Sequence, residues 1–156
     1  MRWRLLTLLL AVLVVSAGLK AADDPMMGTW KLNLSKSKYS PGPPPRSRIL
    51  KLEPSGTDGF KLINDGVQAN GEKSHSEEIY VLDGKDHPLT DSQTSDMQLN
   101  RWIDAYTTET LRKKGGKTVQ VIRRVVSQDG KTLTITVKGL MPAGGSVEDV
   151  RGLDKQ

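Results

Sequence analysis

The sequence contains no cysteine, and this absence excludes disulfide bonds, thiolate metal sites and a lipid anchor on cysteine. Histidine occurs only twice, whereas a zinc site needs three or four ligands in fixed geometry. No Gly-x-Ser-x-Gly, phosphate-binding glycine loop or His-Glu-x-x-His pattern occurs. We therefore expect no metal, no cofactor and no catalytic residues, and nothing in the sequence supports an enzymatic activity.

Aromatic residues are also scarce, at 4% of the chain, and they are scattered. Nucleic-acid-binding proteins usually combine a concentrated basic face with stacking aromatic side chains. The formal net charge is +5, but Arg2, Arg4 and Lys20 lie in an amino-terminal segment, and without them it is +2. The sequence therefore argues against a nucleic-acid partner.

The amino terminus has the pattern of a secretory signal peptide. A basic start at residues 1–4 precedes an apolar run, Leu5 to Val15, which only Thr7 interrupts, and small residues follow at 16–18. A membrane-spanning helix would need about 20 apolar residues, and this run is shorter. We expect a cleaved signal helix over residues 1–21, with a retained anchor as the alternative.

Residues 22–156 are expected to form one domain, which is long enough to build a core without disulfides. The signal predicts an exported protein, periplasmic or extracellular, with no stable membrane span after cleavage. The candidate cleavage positions follow the small residues Ala17, Ala21 and Ala22.

Polar and apolar residues alternate with the period of half-buried strands. Trp30, Leu32 and Leu34 share one face of the first such stretch. Near the carboxyl end, Leu133, Ile135 and Val137 alternate with threonine and lysine, and β-branched residues suit a pleated surface. Helical periodicity is hard to find after the leader. The chain is therefore predicted to be all-β.

Glycine-containing pairs punctuate these stretches, and Asp-Gly and Asn-Gly favour tight hairpins. Strands are predicted near 28–34, 46–54, 59–68, 73–82, 96–104, 106–114, 117–127, 131–139 and 146–154. This spacing favours a single antiparallel up-and-down β-barrel of about eight to nine strands, because closure removes exposed edges. The proline-rich segment 40–45 is expected to be an extended connection between the first two strands. The turn pairs are Asp58-Gly59, Asp65-Gly66, Asn70-Gly71, Asp83-Gly84, Gly115-Gly116, Asp129-Gly130 and Gly144-Gly145.

The first strand, Gly28-Thr29-Trp30, resembles the Gly-x-Trp opening of the lipocalins and the related fatty-acid-binding proteins. The end of the chain, from Val150 to Lys155, is similar to the closing Arg-x-Tyr strand of the second group, with Leu153 at the tyrosine position. The sequence is most similar in character to exported bacterial lipocalin-like proteins of the calycin superfamily. This resemblance implies a ligand-binding barrel, although the proline segment stands where fatty-acid-binding proteins have two helices.

Trp30 is predicted to be a structural plug at one end of the barrel, with direct ligand contact as the alternative. A second point of interest is the strand 117–127, which is apolar on both faces and contains Arg123 and Arg124. Adjacent residues of a strand point to opposite faces, so one arginine is expected to face inward. A buried guanidinium needs a carboxylate or an anionic ligand beside it.

The candidate ligand-binding residues are Arg123, Tyr106, Trp102 and Arg151, with Arg123 receiving the acid group of an amphipathic molecule. The alternative is an internal ion pair between Arg123 and a carboxylate such as Glu78 or Glu109, or an arginine that reaches the rim. The basic run 112–117 is expected to be a solvated hairpin tip, with docking on anionic lipid or polysaccharide as its alternative.

The predicted function is non-catalytic binding of a small apolar or amphipathic molecule inside an exported barrel. The alternative is an envelope interaction or inhibitor-type protein whose barrel is filled by its own side chains. Such a protein would bind another protein or a glycan through loops that include 40–46 and 90–96.

Overall fold

The computed structural model describes residues 24–90, 92–141 and 144–156, and these residues form strands and connections without a helix. The predicted signal helix, residues 1–21, lies outside the described residues. None of the described residues belongs to a helix long and apolar enough to cross a membrane. The strands are β1 (Gly28–Lys38), β2 (Ser47–Pro54), β3 (Gly59–Val67), β4 (Lys73–Val81), β5 (Asp83–Pro88), β6 (Met97–Asp104), β7 (Thr107–Lys114), β8 (Lys117–Val126), β9 (Thr132–Leu140) and β10 (Ser146–Lys155).

All ten strands belong to one antiparallel sheet that curls into a nearly closed barrel. The strand order is β4-β3-β2-β1-β10-β9-β8-β7-β6-β5, so strands adjacent in the chain pair with one another except β4 and β5, and β1 pairs with β10. The two edges are β4 and β5, which follow one another in the chain and are separated only by Leu82. The all-β antiparallel prediction is confirmed.

The predicted count of eight to nine strands is wrong, because β5 was missed. Its sequence, DGKDHP, is polar and includes a glycine and a proline, so Asp83-Gly84 was interpreted as a turn. In the structure this segment pairs with β6, with an irregularity in register between Asp83 and Asp86. Asp65-Gly66, also predicted as a turn, lies inside β3 and pairs with β2 and β4. Local composition does not reveal a strand that is held by pairing alone.

One end of the barrel, which we call the floor, is closed by an apolar core. Trp30 is completely buried there, and its indole Nε1 donates a hydrogen bond of 3.0 Å to the carbonyl oxygen of Met26. Burying a large apolar side chain stabilises a fold by about 1.5–3 kcal/mol. Trp30 is therefore part of the buried core at the floor. The other buried apolar residues of this core include Met26, Leu52, Phe60, Val126, Leu133 and Leu153.

The opposite end, which we call the mouth, carries the connections β1–β2, β3–β4, β5–β6, β7–β8 and β9–β10. The proline-rich segment forms the β1–β2 connection over residues 39–46, as expected. Because successive strands are antiparallel, loop 40–46 and the described residues of loop 90–96 lie at this same end. The mouth therefore brings together the two loops that the sequence predicts as an interaction surface under the alternative function.

Candidate ligand-binding cavity

Above the floor, the barrel contains a cavity of about 1000 Å³. This volume is at the upper end of the range of about 300–1000 Å³ typical of small-molecule sites. Strands and the β5–β6 connection supply its walls. The barrel is therefore hollow above the floor and is not filled by its own side chains. Its apolar lining includes Leu32, Leu50, Leu62, Ile122, Ile135, Val137 and Leu153.

Four arginines also line the cavity: Arg48, Arg112, Arg124 and Arg151. Two of them are neutralised by carboxylates within the chain. Arg112 donates from Nη2 to Glu78 at 3.0 Å, and Arg151 donates from Nη2 to Asp149 at 2.7 Å. Arg48 and Arg124 form no ion pair among the described residues. The lining therefore carries uncompensated positive charge.

Arg124 is the most deeply buried of these arginines, with only 3% of its surface exposed. Its guanidinium carbon lies 4.4 Å from the centroid of the Tyr80 ring, and its Nη1 donates to the Thr110 hydroxyl at 3.0 Å. Its Nε has no hydrogen-bond partner among the described residues. A cation–π contact and a hydroxyl only partly offset the loss of hydration of a buried guanidinium. The side chain therefore retains capacity to bind an anion.

The aromatic side chains next to Arg124 form a stack. Phe60 and Tyr80 lie with ring centroids 5.0 Å apart and planes 20° from parallel. The Tyr80 hydroxyl donates to Glu78 Oε2 at 2.7 Å, and burial raises the pKa of Tyr80 to about 12. The phenol therefore stays protonated at neutral pH and holds Glu78 in place. This leaves Glu78 engaged by both Tyr80 and Arg112.

The register places Arg151 in the same row as Arg124. Both pair with Ile135 of β9, which lies between them. Because neighbouring strands are about 4.8 Å apart, their Cα atoms are separated by about 10 Å on one wall. The guanidinium of Arg151 also lies 5.7 Å from the Tyr39 ring centroid. The sequence-predicted residue Arg151 thus reaches the cavity, although Asp149 neutralises its charge.

Arg123, the arginine that sequence reasoning favoured, lies on the outer face of the barrel. Its Nη2 donates to Glu109 Oε2 at 2.8 Å, while Arg101 donates to Glu109 Oε1 at 2.7 Å. These bonds, that from Arg123 first, hold the pKa of Glu109 below its usual value. The structure therefore shows the internal pairing that the sequence left as the alternative. Arg123 is not brought together with Arg151.

Trp102 and Tyr106 lie at the floor end, away from the cavity. They border a separate groove of about 670 Å³ with Pro25 and the β8–β9 turn. Their exposed fractions are 37% and 39%. The structure does not bring these two predicted ligand residues together with Arg151.

Each of the two histidines lies beside a carboxylate, but neither belongs to a cluster of potential metal ligands in the described part of the chain. Nδ1 of His75 is 2.6 Å from Asp65, and Nε2 of His87 is 2.9 Å from Asp83. No group of three or more potential metal ligands occurs within the described ranges.

Sequence reasoning missed Arg48, Arg112 and Arg124 as cavity residues. The β8 pattern required one inward arginine, but apolar residues on both faces left its identity undecided. Arg48 follows the proline segment and Arg112 lies in the basic run, where charge is normally solvated. Strand alternation is the pattern that could have identified Arg124 as the inward arginine, because Arg124 shares a face of β8 with Ile122 and Val126, and both of these residues are buried.

The order of strands, the gap at β4 and β5, and the cavity above an apolar floor together define a hollow, nearly closed antiparallel barrel. The sequence matches no protein-family profile and no curated protein. Solved structures share the fold.

The fatty-acid-binding protein of Schistosoma mansoni, solved with arachidonic acid, is 15% identical, with a TM-score of 0.54 over 85% of this chain and 96% of that one. The zebrafish ileal bile acid-binding protein, solved with cholic acid, is 12% identical, with a TM-score of 0.55 over 85% and 99%. The fluorescent protein UnaG is 15% identical, with a TM-score of 0.53 over 84% and 97%. The chain therefore shares the barrel fold of these proteins.

Proposed function

We propose that this protein binds a small amphipathic organic anion, such as a carboxylate, within the barrel. The observation that carries the proposal is Arg124, a residue only 3% exposed that forms no ion pair among the described residues and lies at the inner end of a cavity of about 1000 Å³. An anionic head group would accept hydrogen bonds from Arg124, and charge-assisted bonds of this kind are about twice as strong as neutral ones.

The apolar lining would supply most of the affinity. Burial of apolar surface contributes about 25 cal/mol per Å², so an alkyl or ring system against Leu50, Leu62 and Val137 would add several kcal/mol. The polar groups of the walls would then fix orientation. The fatty acid and bile acid in two structures of the same fold support this ligand class.

The test is a titration with a dansyl-labelled fatty acid and, in parallel, its methyl ester. We expect saturable binding of the acid at one site and weaker binding of the ester. Arg124→Met should weaken binding of the acid by about tenfold, since a charge-assisted hydrogen bond is worth about 1.5–3 kcal/mol. Arg123→Met is the matched control, because this neighbouring arginine faces outward. Equal binding by wild type and Arg124→Met would contradict the proposal.

We also propose that the protein is exported, with residues 1–21 removed and residues 22–156 forming the mature domain. The support is the basic start and short apolar run at the amino terminus. Amino-terminal sequencing of the protein recovered from outside the cytoplasm tests this: a start just after Ala17, Ala21 or Ala22 is expected. Recovery of an intact Met1 terminus from the cytoplasm would contradict it.

A further inference from the structure

We propose that the ligand carries two anionic groups, and that Arg48 and Tyr39 form a second anion-binding subsite near the mouth. This inference rests on the proposed function, because it assumes that Arg124 receives the first anionic group. It specifies the ligand class further, as amphipathic molecules in which an apolar segment joins two anionic groups.

The cavity arginines differ in how their charge is compensated. Arg112 is held by Glu78 and Arg151 by Asp149, through bonds of 3.0 and 2.7 Å. Arg48 makes no ion pair among the described residues, which is a property it shares with Arg124. Two guanidinium groups of the lining thus form no salt bridge with a carboxylate among the described residues, although the Asp149 carboxylate acts on Arg48 from a greater distance.

The Arg48 guanidinium is also desolvated. Its Nε is buried and has no hydrogen-bond partner among the described residues. Burial, followed by the positive charge of Arg151, lowers the pKa of Arg48, although an arginine remains protonated under all ordinary conditions. A guanidinium that has lost water and faces a second cation is stabilised by an anion placed between them.

The hydroxyl of Tyr39 neighbours Arg48. Its Oη is buried and likewise has no hydrogen-bond partner in the described part of the chain. Burial raises the pKa of Tyr39, with Arg151 and Arg48 opposing this effect, so the hydroxyl remains available as a donor. Arg151, which is bonded to Asp149, lies over the Tyr39 ring at 5.7 Å. The ring is thereby held while its hydroxyl is left without a bond.

Arg48 and Arg124 lie far apart in the barrel. Arg48 is the second residue of β2, next to the mouth, whereas Arg124 is two residues from the floor end of β8. Three strands, β1, β10 and β9, separate β2 from β8 in the sheet order, which is roughly 19 Å along the wall at about 4.8 Å per step. The two arginines therefore lie on different walls and at different depths. Apolar side chains line the space between them, including Leu50, Leu62, Ile122 and Val137.

The probe is hexadecanedioic acid, compared with its monomethyl ester by calorimetry at mildly alkaline pH, after removal of copurified ligand with an apolar resin. The two molecules have the same chain and differ in one charge. We expect the diacid to bind wild-type protein about tenfold more tightly, since one charge-assisted hydrogen bond is worth about that factor.

Arg48→Met should bring the ratio of the two affinities close to one while leaving the affinity for the monoester within about twofold. Arg48→Gln is a second variant in case the first folds poorly. Tyr39→Phe should reduce the ratio in part. Arg46→Met is the matched control, because Arg46 lies at the same end but is exposed and bonded to the carbonyl of Ala69.

The outcomes separate the two proposals. Equal affinity of wild type for diacid and monoester, or a ratio unchanged in both Arg48 variants, would overturn the second subsite and leave the proposed function standing. Failure of wild-type protein to bind either molecule would overturn the proposed function and the second subsite together. A high ratio in wild type and Arg46→Met that is lost in the Arg48 variants would support the inference.

Discussion

The guanidinium of Arg124 on β8 lies 4.4 Å from the ring centroid of Tyr80 on β4, although β8 and β4 are not neighbours in the sheet. β4 is one edge of the nearly closed barrel, and its next neighbour around the barrel is the other edge, β5. The contact therefore spans the interior behind the gap. It stabilises an edge strand that lacks a complete second partner.

The first prediction distinguishes the contribution of the Tyr80 ring to stability from that of its hydroxyl. Tyr80→Phe removes the bond to Glu78 and keeps the stack on Arg124, so it should cost about 1 kcal/mol of unfolding free energy. Tyr80→Leu also removes the cation–π contact and the stack on Phe60, so it should cost about 1–2 kcal/mol more. Urea denaturation of both variants measures this. Equal stability of the two would contradict a contribution from the ring.

The second prediction concerns Glu109, whose side chain is 7% exposed between two arginines. Glu109→Gln should lower the free energy of unfolding by about 1 kcal/mol at neutral pH. This is the upper end of the range for a surface ion pair, and we expect it because Glu109 accepts bonds from two arginines. Glu148→Gln is the control: it removes a pair with Lys138 in which both side chains are about two-thirds exposed, so a smaller change is expected.

The effect of Glu109→Gln should depend on pH. The bonds from Arg123 and Arg101 lower the folded-state pKa of Glu109 from its ordinary value of 4.5. A lowered folded pKa means that the carboxylate contributes its full stability above the unfolded value and loses it as the pH falls through the folded value. The difference between wild type and Glu109→Gln should therefore be constant above about pH 5 and should shrink in acid. A difference that grows in acid would contradict the assignment.

The strands could be predicted from the sequence because most of them show one buried and one exposed face. β9 is the clearest: Leu133, Ile135 and Val137 are buried and their neighbours are less so. β5 could not be predicted, since it has no apolar alternation and exists because β6 offers it backbone partners. Its role as an edge depends on the closure of the whole barrel, which is not a local property.

The cavity was harder to predict than the barrel, because it depends on which phase of each strand faces inward. Sequence reasoning recognised that Arg123 and Arg124 must face opposite sides, but β8 is apolar in both phases. Cross-strand pairing determines which arginine faces outward, because Glu109 lies opposite Arg123 and attracts it to the outer face. No local sequence pattern identifies Arg48 as a cavity residue, because the residues around it come from β10 and from the β1–β2 connection.

The third prediction tests the close approach of β1 to β10. A Cβ atom on Gly152 would lie 2.5 Å from the Cβ of Lys36 and 2.7 Å from its carbonyl oxygen. Gly152→Ala must therefore push the strands apart, and overpacking of this kind costs about 1–3 kcal/mol. Ser146→Ala, at an exposed position of the same strand, should leave the urea midpoint nearly unchanged. Equal effects of the two substitutions would contradict the tight packing at Gly152.

The last prediction distinguishes the cavity from the groove that Trp102 and Tyr106 border at the floor end. Because these side chains do not line the cavity, Trp102→Ala and Tyr106→Ala should leave the affinity for a dansyl-labelled fatty acid within about twofold of wild type, a change of less than about 0.5 kcal/mol. Leu62→Asp, which places a carboxylate in the cavity wall, should weaken binding strongly through desolvation and through competition for the arginines. The measurement is a fluorescence titration of each variant, with circular dichroism to confirm folding. A large loss in the Trp102 or Tyr106 variant, with little change in the Leu62 variant, would place the binding site at the floor rather than inside the barrel.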